Sequence, residues 1–206
     1  ANIQNALDFV RTSRLRGGTD LGKALASALT QCSMPGSDIV LLTDGGSDRG
    51  ASVLGRRIAG AYAKQWKDSA QHPRTHIFAV GDDANLPLLR QIARVHSESP
   101  GAMEHVLSTE PLEAKLASFL FKINSRPAQD VHLDIEPRAK IHTLYPLDDS
   151  VFAGSVASWV GDYPQPASGV AFNLSATREG VPLNLAVKAD LPAEALEHPQ
   201  LPRLWA

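Results

Sequence analysis

The fold of this chain is decided by Arg16-Gly-Gly-Thr-Asp-Leu-Gly-Lys-Ala-Leu25 together with Asp38-Ile-Val-Leu-Leu-Thr-Asp-Gly-Gly46. The first stretch predicts a tight glycine turn that opens a helix, with Thr19 and Asp20 at the start of that helix. The second predicts a buried, β-branched and apolar strand that leads through a threonine into Asp44 and a glycine turn. Each stretch therefore places an oxygen-bearing side chain where a strand and a helix are joined.

The two oxygen-bearing side chains suggest a binding site. Parallel strands end at one edge of their sheet, and ligands of such folds bind outside that edge. The Thr19 hydroxyl and the Asp44 carboxylate are hard oxygen ligands of the kind that Mg²⁺ prefers. Simpler interpretations exist for each residue. Thr19 could simply cap the N-terminus of the helix, and Asp44 could simply be a residue of a turn. Asp20 could simply interact with the positive end of the helix dipole.

The pattern up to about residue 124 alternates helix and strand. Helices are predicted over 1–16, 19–31, 51–67, 86–96 and 111–123, and strands over 38–43, 75–81 and 102–107. Strands with continuous apolar runs, separated by amphipathic helices, are typical of a mostly parallel sheet that is covered on both faces. The strands at 39–42 and 76–80 should be parallel neighbours, because a right-handed crossover through the intervening helix joins them.

The pattern changes after Ser125-Arg-Pro127. Alternating apolar and polar residues, broken by Pro and Gly, predict strands over 131–136, 139–145, 152–160, 169–177 and 181–189. This alternation is typical of antiparallel sheet with one packed face. We therefore predict an α/β domain over residues 1–125 and a small β-sandwich-like domain over residues 126–206.

Composition and motif content argue against several classes of function. The chain has 206 residues and a formal net charge of −2, so it offers no electrostatic case for nucleic acid. No apolar run approaches the roughly 20 residues that a membrane-spanning helix needs. Cys32 is the single cysteine, so no internal disulfide can form. The sequence also lacks the glycine-rich, nucleophile-elbow and metalloprotease motifs of common enzyme classes.

The Gly-Gly-Thr turn and the apolar strand that ends in Thr-Asp-Gly resemble the von Willebrand factor type A (vWA) domain with its metal-ion-dependent adhesion site. The resemblance implies a partial Rossmann-like domain in which Thr19 and Asp44 are metal ligands and Asp20 is an outer-sphere acceptor. It implies Mg²⁺ or Mn²⁺ as the cofactor, and a protein partner that offers a carboxylate to the metal. The implied function is non-catalytic, metal-dependent protein–protein adhesion.

One signature of that family, a D-x-S-x-S loop after the first strand, is not found in the chain. We therefore expect that this sequence is a fragment that lacks the first strand of its domain. Two ligands out of a larger set should hold the metal weakly or not at all. A missing strand should also leave a sheet edge and apolar helix faces exposed.

Shorter strings extend the resemblance to the heavy chains of inter-alpha-trypsin inhibitor and their bacterial relatives, in which a VIT domain precedes the vWA domain. These strings are Tyr145-Pro146, Phe152-Ala-Gly154 and Leu201-Pro-Arg-Leu-Trp-Ala206. They imply an extracellular, periplasmic or cell-surface location. The alternative from another class is a phosphate- or nucleotide-binding α/β enzyme domain, with the Gly17-Gly18 turn as the phosphate cradle at a helix N-terminus.

Overall fold

The computed structural model describes residues 2–13, 19–46, 51–138, 141–146 and 151–193. The helices are α1 (Asn2–Thr12), α2 (Leu21–Gln31), α3 (Ala51–Asp68), α4 (Leu86–Ala93) and α5 (Leu112–Ile123). The strands are β1 (Ile39–Thr43), β2 (Thr75–Val80), β3 (Met103–Val106), β4 (Gln129–Glu136), β5 (Thr143–Pro146), β6 (Trp159–Asp162), β7 (Ala167–Arg178) and β8 (Val181–Leu191). Helix and strand alternate from α2 to α5, and strands alone follow α5, as predicted.

The first three strands form one parallel sheet in the order β1-β2-β3. Ile39 lies opposite Thr75, and Ile77 lies opposite Met103. The prediction that β1 and β2 are parallel neighbours is therefore confirmed. The mixed α/β class with a mostly parallel sheet is confirmed as well.

Helices cover both faces of the parallel sheet. On one face α2, α3 and α4 pack against alternate strand residues, and Leu25, Leu89 and Ile77 are at most 1% exposed there. On the other face α5 packs through Phe119, whose ring centroid is 5.3 Å from that of Phe78. The alternation of Ile77 and Phe78 between the two clusters follows from the two-residue period of a strand.

Part of this sheet is uncovered. Within the described ranges β1 pairs only with β2, so its other edge carries no ladder hydrogen bonds. Val40 and Leu42 are 48% and 66% exposed, and Phe9 of α1 is 73% exposed. The sequence led us to expect an open edge and exposed apolar helix residues, and both are present.

The antiparallel region consists of a three-stranded sheet, β4-β7-β8, and a separate two-stranded sheet, β5-β6. The strand predicted over 152–160 is wrong at its start, because only Trp159–Asp162 is extended. The chain turns at Gly154, which has a φ of +77°, and this turn directs Phe152 into the cluster of Phe78 and Phe119. The two parts of the chain thus share hydrophobic core, and the domain boundary near residue 126 stays a prediction.

A polar cluster around the buried His76 ties the strands together at the edge where they begin. His76 of β2 is 1% exposed, and its Nδ1 accepts a hydrogen bond of 2.9 Å from the backbone N–H of Ala102. Because Nδ1 is an acceptor, the neutral ring carries its proton on Nε2, which lies 3.3 Å from Asp38 Oδ2. Arg74 also donates to Asp38 Oδ2, over 2.7 Å. Residues just before β1 and β3 are thereby joined through β2.

No helix in the described part of the chain combines the length and the apolar character that crossing a lipid bilayer requires.

Candidate functional site

Asp44 lies at the carboxyl end of β1, where the sequence predicted it. Its Oδ1 accepts a hydrogen bond of 2.8 Å from the N–H of Gly46, while the Thr43 hydroxyl accepts one of 3.0 Å from the N–H of Gly45. Asp44 is therefore a turn residue, in agreement with the simpler of the two interpretations of the sequence. Its side chain is nevertheless exposed, and Oδ2 has no hydrogen bond among the described residues. As far as the described residues show, this second carboxylate oxygen can take a ligand.

The Asp44 turn is held against the loop that follows β2. The Asp44 carbonyl accepts a hydrogen bond of 2.8 Å from the N–H of Asn85, the residue that caps α4. Gly45 is buried with a φ of +69°, and a Cβ added there would lie 3.0 Å from Leu89 Cγ and 3.2 Å from Asn85 Cβ. Only glycine suits both the backbone angle and the space. This close packing fixes where the Asp44 carboxylate stands.

Replacing Gly45 with alanine should lower the free energy of unfolding by about 2 kcal/mol, since the variant meets both a left-handed φ and a crowded site. Gly36→Ala is the matched control, because Gly36 has a φ of +78° but nothing within 4 Å of the added Cβ. The control should lose only about 1 kcal/mol. Urea denaturation of both variants measures the difference. Equal losses would show that packing does not hold the Asp44 turn.

Thr19 and Asp20 precede α2. The helix is capped by Asp20, whose Oδ1 accepts a hydrogen bond of 2.9 Å from the N–H of Lys23. The N-cap interpretation of Thr19 is therefore wrong, because the helix begins one residue later than that interpretation requires. Thr19 is exposed, and its hydroxyl has no hydrogen bond within the described ranges. The hydroxyl is thus available to a ligand.

The phosphate alternative depends on the Gly17-Gly18 turn, which lies outside the described residues. The Asp20 carboxylate already accepts a hydrogen bond from the N–H of Lys23, one of the backbone donors in the first turn of α2. A negative group at that position would repel a phosphate from the positive end of the helix dipole. The described geometry therefore gives this alternative no support.

A second acidic residue, which sequence reasoning missed, lies after β2 at the same edge of the sheet. The carboxylate of Asp82 accepts hydrogen bonds from the backbone N–H of Ser108, at 3.0 Å, and from its hydroxyl, at 2.7 Å. These bonds lower the pKa of Asp82 from its ordinary value. The sequence could have indicated this residue, because Asp82 follows Gly81 in the turn directly after an apolar strand. Unlike Asp44, however, Asp82 uses both oxygens within the chain.

The donor chemistry suits a hard divalent cation only in part. Thr19 and Asp44 offer a hydroxyl and a carboxylate oxygen, which are the ligand types that Mg²⁺ and Mn²⁺ accept. Within the residues that the structure describes, however, no group of three or more His, Cys, Asp or Glu side chains is arranged to hold a metal. The assignment of Thr19 and Asp44 as metal ligands therefore stays a prediction.

Comparison with known proteins finds a family model that matches the first 97 residues of the chain. Residues 1–97 match the family model described as von Willebrand factor type A domain. The matched segment contains Thr19, Asp20 and Asp44, together with the elements from α1 to α4. No curated protein matches the chain. The family match supports a vWA domain here, and vWA domains are in general modules of protein–protein interaction.

Proposed function

We propose that this chain belongs to a non-catalytic binding module that, in the intact protein, engages a protein partner through a metal at the edge of the sheet where β1 ends. Asp44 would hold Mg²⁺ or Mn²⁺ through its carboxylate and Thr19 through its hydroxyl, with Asp20 as an outer-sphere acceptor. A carboxylate of the partner would complete the coordination shell. The observation that carries the proposal is the rigidly held turn that presents the exposed Asp44 carboxylate at this edge.

The position of α2 supports a common site for Thr19 and Asp44. Cys32, which follows α2, packs against the buried cluster that contains Ile39, the first residue of β1. The end of α2 is thus near the start of β1. A helix of 11 residues spans about 16 Å. A strand of 5 residues spans about the same distance. Running antiparallel to β1, α2 would begin near Asp44.

The finer assignments belong to the same proposal. The heavy-chain resemblance suggests a protein that combines vWA and VIT domains. Because vWA domains are often extracellular or on the cell surface, we infer an extracellular, periplasmic or cell-surface location. A module of this kind would supply a binding surface and would leave catalysis to other proteins.

A carboxylate probe tests the proposed function. A capped Gly-Asp-Gly peptide should bind the chain weakly in millimolar Mg²⁺, as an incomplete ligand set allows, and should lose binding when EDTA removes the metal that would bridge the peptide and Asp44. Asp44→Ala should abolish the binding, which isothermal titration calorimetry can follow. Asp83→Ala, at an exposed acid in the neighbouring loop, is the control and should bind as the parent does. Metal-independent binding, or equal binding of a Gly-Asn-Gly peptide, would contradict the proposal.

A further inference from the structure

A cleft opens at the edge of the parallel sheet where β2 and β3 begin, which is the edge opposite the Asp44 turn. Its volume is about 750 Å³, which is within the range of small-ligand pockets. One wall comes from the loop between α4 and β3, with Glu98 and Pro100, and the other from the antiparallel region, with Asp130, Pro146 and Trp159. The cleft therefore lies on the seam between the two parts of the chain, far from the Asp44 turn.

Hydrogen bonds across the seam fix the walls of this seam cleft. The Gln129 side-chain amide donates to the Glu98 carbonyl over 2.7 Å, and the Ala128 N–H donates to the Val151 carbonyl over 2.7 Å. Trp159 is held by pairing with Pro146 in the β5-β6 sheet. A ligand would enter a site whose walls are already formed, which reduces the entropy cost of binding.

The lining combines apolar surface with negative charge. Proline rings and the Trp159 indole supply flat apolar surface, while Glu98 and Asp130 are carboxylates. No Lys, Arg or His is among the described lining residues, so the lining charge is negative. Glu98 also lines the adjoining polar pocket, where Arg74 and Arg126 lie. Asp130 is exposed, and its carboxylate makes no hydrogen bond or ion pair within the described ranges.

This combination selects one class of ligand. An alkylammonium or alkylguanidinium group has an apolar stem that packs on proline and indole surface, and a charged head that pairs with a carboxylate and with the face of an indole ring. An anion would be repelled, and a neutral apolar group would leave the carboxylate without a partner. We propose that the seam cleft binds an organic cation of this kind, as carried by a lysine or arginine side chain of a peptide or by a free alkylamine.

The ligand is tested with three probes: a capped Gly-Lys-Gly peptide, the same peptide with norleucine for lysine, and free butylammonium. Each is titrated into the chain while the indole N–H resonance of Trp159, assigned through Trp159→Phe, is followed by NMR. The lysine peptide or butylammonium should shift this resonance saturably. Tighter binding of the peptide would identify a peptide segment as the source of the cation, and binding of butylammonium alone a small amine.

Two variants test whether Asp130 binds the cation. Asp130→Asn should weaken cation binding about 10-fold, since it removes one charge-assisted contact. The fold should persist, because Asp130 has a φ of +52° and asparagine tolerates that conformation. Glu179→Gln is the control, because Glu179 has the same φ of +52° and the same charge but lies in the β7–β8 turn. Equal affinity for the norleucine peptide, an unaffected Asp130→Asn variant, or no Trp159 shift with any probe would overturn the proposal. None of these outcomes depends on the Asp44 site.

Discussion

Replacing Gly101 with alanine is expected to lower the free energy of unfolding by about 3 kcal/mol or more, a large share of the ~5–15 kcal/mol that stabilises a typical domain. Gly101 precedes β3, and its N–H donates to the Ala93 carbonyl over 2.8 Å. A Cβ added there would overlap the backbone carbonyl of Thr75, the first residue of β2. Backbone cannot rotate away as a flexible side chain would, so β2 and the chain before β3 would be forced apart. Urea denaturation followed by circular dichroism measures the loss.

Gly60→Ala is the control, and it should stabilise the protein. Gly60 is exposed within α3, and nothing lies within 4 Å of an added Cβ. Alanine should therefore stabilise the protein by about 0.5–1 kcal/mol through its higher helix propensity. If Gly101→Ala unfolds at the same urea concentration as the parent, the close approach of β2 to Gly101 is not present in solution.

The second large effect is expected at His76. His76→Leu leaves the buried Ala102 N–H without its acceptor, and it also removes one hydrogen-bond donor from the more exposed Asp38. We expect a loss of about 3 kcal/mol, because a buried unpaired polar group costs its desolvation energy. His76→Asn should lose less, since the asparagine Oδ1 lies near the position of Nδ1 and can accept from Ala102. Thermal unfolding of the two variants at pH 7.5 compares them.

His76 should also make the stability of the fold depend on pH. Burial lowers the pKa of His76 below the ordinary value of 6.5, an effect that outweighs the hydrogen bond to Asp38. The unfolded chain then binds the proton more readily than the folded one, so stability is full above about pH 6.5 and falls as the pH drops towards the folded pKa. Burial raises the pKa of Asp38, but Arg74 and His76 more than compensate and hold it below 3.8. The contribution of Asp38 is therefore lost only at more acidic pH.

His76→Asn serves as the control for this pH dependence. The fall in stability between pH 6.5 and pH 5 should be smaller in this variant than in the parent, when both are measured by urea denaturation across the range. Because the variant keeps the remaining histidines, any fall that persists reports those residues. An unchanged pH profile would show that His76 is not the buried group that resists protonation.

The sequence revealed those features that depend on local pattern. Continuous apolar runs such as Ile39–Leu42 and Ile77–Val80 predicted parallel strands, because strands that are buried on both faces need no polar alternation. The segment Ile77–Ala79 is buried as expected, whereas Val40 and Leu42 of the other run are exposed. The same pattern placed Asp44 at a strand end, and the structure has it there. The N-cap was displaced by one residue because Thr19 and Asp20 are both good caps. Local sequence does not determine which of them begins the helix.

The features that the sequence did not reveal depend on contacts between distant residues. Phe152 has the pattern of a strand residue, but burial against Phe78 and Phe119 places it in a turn. The close contact of Gly101 with Thr75 and the binding of Ser108 to Asp82 each join residues 26 apart in sequence. No period or motif encodes such pairs. The seam cleft was missed for the same reason, since Trp159 has the pattern of an ordinary core residue.

The central claim, that Asp44 and Thr19 form one metal site, is tested most directly by paramagnetic broadening with Mn²⁺, because broadening locates even a weakly bound ion. We expect the amide signals of Thr19, Asp20, Gly45 and Gly46 to broaden together at low Mn²⁺ concentration. Asp44→Ala should remove the effect, while Asp83→Asn, at an exposed acid on the same edge, should retain it. Broadening centred elsewhere, or an unchanged pattern in Asp44→Ala, would contradict the account.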